Sequence, residues 1–118
     1  MSSTFFGTDM PSDYVPDSDE KNIALLSHIL TFIAPVLAPL IIYVIKKDES
    51  PFIAYHAKES LNFQITLMIV VIALAITVIG VLLIFPVGIF ALIVVIIATI
   101  RASEGRLYRY PMTIRFIK

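Results

Sequence analysis

Two long stretches of this chain carry no charge at all. Residues 22–45 and 60–100 contain no Asp, Glu, Lys or Arg. They cover 65 of 118 positions, so all 18 charged residues are confined to the other 53. A soluble domain needs charge recurring on each exposed face, and this distribution excludes one. The 58% apolar content equally excludes disorder of the whole chain. With no Cys there is no disulfide framework, thiol chemistry or Cys-ligated zinc. Nine Lys/Arg balance nine Asp/Glu, which argues against a nucleic-acid partner, since a phosphate backbone is bound by cationic excess.

A bilayer core ~30 Å thick takes ~20 apolar residues as helix. The run 23–45 fits one span. The run 60–100 fits two, with the break expected at Gly80 and at Phe85-Pro86-Val87-Gly88, the strongest turn signal within it. The reading is an all-α integral membrane bundle of three transmembrane helices, at about 23–45, 60–80 and 86–102. Strands are excluded because an open sheet in lipid leaves backbone groups unpaired. Residues 1–22 read as a disordered acidic tail, and 103–118 as a short basic tail at the membrane surface. Asp19 or Ser18 is the expected cap of the first helix.

Three spans place the N-tail and the 80–88 turn on one side, with the 46–59 loop and the C-tail on the other. The first side then holds one cation, Lys21, and the second holds eight. The positive-inside rule puts the loop and C-terminus in the cytoplasm and the N-terminus outside.

Within the first span, Ser27, Thr31, Pro35 and Pro39 recur every four residues with His28 beside them, so they share a helix face. Each Pro frees a backbone carbonyl that needs a partner in lipid, so the face turns toward other helices. This is a kinked packing face, or, more sharply, an ion or proton path with His28 titrating.

Ser50-Pro51 reads as an N-cap followed by Pro at the first helical position. From there a helix can run to Ile79, longer than the core it crosses, so its cytoplasmic end is extended by an amphipathic segment. His56, Glu59, Ser60, Asn62, Gln64 and Thr66 fall within an arc of roughly 200° at its start. They mark an interfacial helix with interhelical hydrogen bonds, or a polar cluster at a cytoplasmic-side cavity. His56 and Glu59 are too few for a metal site, no catalytic set assembles, and no cofactor is implied. In the tail, Gly105 fits a helix C-cap. Tyr108 and Tyr110 interleaved with Arg read as an interfacial anchor. Beyond the bilayer itself, the expected partner is another protein or a second copy.

Lys47-Asp48, Ser50-Pro51-Phe52, the run His56-Ala57-Lys58-Glu59-Ser60-Leu61-Asn62-Phe63-Gln64, and Gly105 with Tyr108-Arg109-Tyr110-Pro111 together resemble a widespread bacterial family of small membrane proteins of unknown function. That family is related to the small Tic-type channel subunit of chloroplast import and to small magnetosome-membrane proteins. The resemblance covers about residues 19–118. It implies an integral membrane protein with a cytoplasmic-side signature at His56, Lys58, Glu59, Asn62, Gln64, Tyr108, Tyr110 and Pro111, and it does not imply an enzyme. The import subunit is described with four spans against the three counted here. Two roles follow as expectations: a non-enzymatic scaffold or assembly factor working through loop and tail, or an oligomeric channel or transporter subunit.

Overall fold

The computed structural model describes residues 6–118. Within them are four helices, α1 (Ser18–Ile29), α2 (Leu37–Lys46), α3 (Pro51–Ala75) and α4 (Val78–Ser103), and two short strands, β1 (Thr8–Pro11) and β2 (Arg106–Arg109).

The apolar run 23–45 is not one span. It breaks into α1, a 3-10 turn at Leu30–Phe32, and α2. Pro35 and Pro39 withhold two backbone donors, and the chain reverses there rather than kinking. The reversal is visible in what meets at the open end of the hairpin. Glu20, in the first turn of α1, accepts hydrogen bonds from the hydroxyls of Tyr14 and of Ser50, which lies just beyond α2. Lys46 and Glu49 share one surface pocket with Asp17, Asp19 and Asn22. At 12 and 10 residues, the two arms are each too short to cross a core of ~30 Å at ~1.5 Å per residue. The α1 cap is Asp17, one residue before Ser18 and two before Asp19, the expected positions. Its carboxylate accepts from Glu20 N at 2.8 Å while the Glu20 carboxylate accepts from Asp17 N at 3.1 Å, a reciprocal capping box.

Two helices, Pro51–Ala75 and Ile79–Ser103, are long and apolar enough to cross a membrane. Ser50 caps α3 as its sequence suggests, accepting from Ile53 N at 3.2 Å with Pro51 at the first position. The turn to α4 comes earlier than Gly80–Gly88. α3 stops at Ala75, and Thr77 caps α4 by accepting from Gly80 N at 2.8 Å. Pro86 and Gly88 lie inside α4. In place of the spans expected at 60–80 and 86–102, the structure has helices over 51–75 and 78–103. α4 ends where Gly105 takes φ +78°, as a C-cap glycine does.

β1 and β2 pair antiparallel, Thr8 opposite Arg109 and Pro11 opposite Arg106. The described part of the N-tail is therefore ordered, while residues 1–5 of the expected disordered tail lie outside the described residues. Asp9 bonds Arg106 at 2.9 Å and Arg101 at 2.6 Å, and these cations hold its carboxyl below the usual carboxylate range, the Arg106 hydrogen bond most of all. Gly7, at φ +86°, is needed because a Cβ there would meet the Arg109 carbonyl. The pairing sets both tails at the same end of the molecule, an arrangement three full spans do not allow.

α1 packs between α3 and α4, and α2 packs on α3. One buried cluster joins Ala24, Phe52, Ala102 and Leu107, where small residues let α1 and α4 approach closely. The other joins Phe63, Ala91, Val94, Val95 and Ala98 to Tyr108 and Tyr110. The outward faces of α2, α4 and the far half of α3 are aliphatic and exposed, as at Ile41, Ile72, Leu82 and Ile96. Such a surface suits lipid.

Candidate functional site: a buried polar junction

The hairpin brings together residues that a straight first span would hold apart. On one straight span from 23 to 45, His28 would lie near the outer membrane face and His56 near the inner one. They are in contact. His28 Nε2 lies 2.8 Å from His56 Nδ1, and both residues are completely buried. His28 Nδ1 lies 2.9 Å from the Tyr110 hydroxyl. His56 Nε2 lies 2.8 Å from the Arg106 carbonyl. Phe52 stacks edge-on against His56, with ring centroids 4.6 Å apart.

With both rings neutral, as burial without a free counter-ion favours, these distances assign the protons. A carbonyl only accepts, so His56 Nε2 carries a hydrogen and donates to Arg106. In the neutral ring Nδ1 is then the acceptor, and it takes the Nε2–H of His28. His28 Nδ1 accepts in turn from the Tyr110 hydroxyl. The three bonds form one directed chain across α1, α3 and the strand-plus-tail segment, with both imidazoles neutral and in the Nε2–H tautomer.

A second set of bonds, on the adjoining face of α3, holds the tail. Glu59 meets Arg115 at 2.9 Å and accepts from Tyr110 N at 2.9 Å. Arg115 also donates to the Thr113 carbonyl at 2.5 Å and the Tyr110 carbonyl at 3.0 Å, bending the tail into a hook around its own side chain. The Asn62 amide donates to the Ile117 carbonyl at 3.0 Å and accepts from Ile117 N at 2.9 Å. The Thr66 hydroxyl accepts from Ile114 N at 3.1 Å and donates to the Asn62 carbonyl at 2.9 Å. The tail is thus docked along α3 instead of lying free on the membrane surface. Tyr110 stacks on Phe63 at 4.2 Å, Tyr108 packs edge-on to Tyr110, and the Tyr108 hydroxyl donates to the Phe6 carbonyl.

Of the signature residues, His56, Glu59, Asn62, Tyr108 and Tyr110 join this junction. Pro111 is buried beside it, and Gln64 is buried on α3 without joining the bonds described. Lys58 is half-exposed and lines a shallow groove with Tyr55 and Tyr14. Of the expected packing face, Ser27, Thr31 and Pro39 are buried with His28, and the Thr31 hydroxyl donates to the His28 carbonyl at 2.5 Å. Pro35 is exposed at the hairpin tip. Arg106 and Arg115 are central to the geometry, yet the sequence marks them only as members of a basic tail. Nothing in the spacing of residues 106–118 announces which arginine turns inward. Among the described residues no group of three or more His, Asp or Glu could hold a metal ion.

No curated protein matches the chain, and no solved structure does. A family model does, over residues 19–117: the MamF/MmsF magnetosome magnetite crystal formation protein family. The match takes in α1, both long helices, the polar junction and almost all of the tail, and on it this membrane protein belongs to the MamF/MmsF magnetosome magnetite crystal formation family.

Proposed function

We propose that the chain is a non-enzymatic scaffold or assembly factor of the magnetosome membrane, contributing to magnetite crystal formation by presenting one charged face to protein partners. The observation that supports this reading is where the polar residues go. His28, His56, Glu59, Asn62 and Thr66 are bonded to one another or to the chain's own tail. Exposed charged groups such as Asp13, Lys47, Asp48, Glu49, Arg109 and Lys118 lie around the open end of the hairpin and on the two tails.

On this reading only α3 and α4 cross the bilayer, and α1–α2 dips in and returns. Every Lys and Arg then lies on one side, and the Ile76-Thr77 turn on the other side carries none. The positive-inside rule makes the charged side cytoplasmic, with both termini there. The channel reading drew on Asn62, Gln64 and Thr66, and two of these are occupied by the tail.

The test is a photo-crosslinking residue at position 47 or 48 in native membranes. A discrete protein adduct is expected, and replacing residues 47–49 with Gly/Ser should leave membrane levels unchanged while altering magnetite crystal size or number. Lipid adducts alone, with unaltered crystals, would contradict the scaffold role.

A further inference from the structure

The directed chain from Tyr110 through His28 and His56 to Arg106 runs in this sense while both imidazoles are neutral. A proton added at His56 Nδ1 either sets two N–H donors against each other across the 2.8 Å joint or drives the His28 proton on to Nδ1, where the Tyr110 hydroxyl must turn to accept it. A proton added at His28 Nδ1 reverses the Tyr110 hydroxyl, which can then accept but no longer donate there. Either way a cation is created in a site with no free counter-ion. Around the chain stand Tyr55 and Glu59 from α3, Arg106, Tyr108 and Arg115 from β2 and the tail, and the hydroxyls of Ser27 and Thr31 from α1. The apolar α4 side chains of the Tyr108–Tyr110 cluster add no charge. Glu59 is the carboxylate among these groups, and it is committed to Arg115. A buried, unpaired charge is strongly disfavoured, so the junction must open to keep the proton.

We propose that this chain is a proton-operated latch: acidification parts α1 from α3 at the histidine pair and loosens β2 and the C-terminal hook on the helices. The latch joins three segments that no shared backbone ladder holds together, so losing it frees α1 from α3 and leaves the hook on its Glu59, Asn62 and Thr66 bonds alone. Its consequence, resting on the scaffold reading above, is that tail exposure on the charged face follows local pH. The latch itself stands or falls independently of any partner.

The experiment uses the full chain in lipid nanodiscs with a nitroxide at Phe116→Cys, an exposed position on the hook. Spectra are recorded from pH 7.5 to 4. The mobile fraction should rise at least twofold on acidification. The rise should vanish in the His28→Gln/His56→Gln double variant. Unchanging wild-type spectra, or a rise that persists undiminished in the double variant, would overturn the proposal. Should the double variant fail to fold, imidazole ¹⁵N spectra of the wild type serve instead. Two neutral Nε2–H tautomers are expected at pH 7.5, and an Nδ1–H ring or an imidazolium at that pH would overturn the latch.

Discussion

The Glu59–Arg115 pair shows how much of the tail's position depends on single side chains. Arg115 Nε and Glu59 Oε2 are 2.9 Å apart, and both side chains are largely buried. Removing one partner leaves the other charge without compensation, so Arg115→Ala should destabilise the fold by about 3 kcal/mol or more. Denaturant unfolding in detergent measures this, and a loss near zero would mean the hook is not docked. Asn62→Leu removes both bonds to Ile117 and should cost ~1–3 kcal/mol, with faster amide exchange confined to the last residues. Asp9 supplies a pH dependence. Its carboxyl is held low by Arg106, so its contribution to the β1–β2 clasp is complete above the ordinary carboxylate range near ~4 and is lost as pH falls through the lowered value. Amide exchange across residues 106–109 should therefore show a further acceleration below that range, separate from any step at the histidine pair, and Asp9→Asn should remove it. At this scale the sequence was partly readable. Ser50-Pro51 announces its helix start because a cap and its proline act locally. The His28–His56 contact spans 28 positions and depends on the α1–α2 reversal, so no local spacing predicts it.

The helices show the same division. Pro35 and Pro39 mark a disturbance in an apolar run, but a kink and a reversal withdraw the same donors, and only packing against α3 and α4 decides between them. Pro86 and Gly88 mislead in the other direction. They form the strongest turn signal in the 60–100 run, yet α4 runs through them, because the Thr77 cap had already turned the chain at Ala75. In lipid the backbone has few alternatives to helix, and a proline is carried along. Pro86→Ala should therefore restore a bond to the Leu82 carbonyl and raise stability by up to ~3 kcal/mol, seen as a higher unfolding midpoint. A turn at that position would instead lose stability on the same change. Thr77→Ala should cost about 1 kcal/mol through loss of the cap.

For the whole molecule, the charge-free runs did identify a helical membrane protein, and the family match agrees on the membrane. They could not give the number of crossings, because 23 apolar residues satisfy a length criterion whether or not they continue in one direction. The β1–β2 clasp supplies what length lacks: it ties residues 8–11 to residues 106–109 and so gathers both tails at one end. The central claim is therefore topological, and the absence of native Cys makes it directly measurable. Single cysteines at positions 13, 47, 76 and 109 are exposed to a membrane-impermeant thiol reagent in intact cells and in inverted vesicles. Labelling of 13, 47 and 109 from the cytoplasmic side, with 76 reached only from the other, is the expected result. Labelling of 13 from the side opposite 109 would restore three crossings and contradict the account.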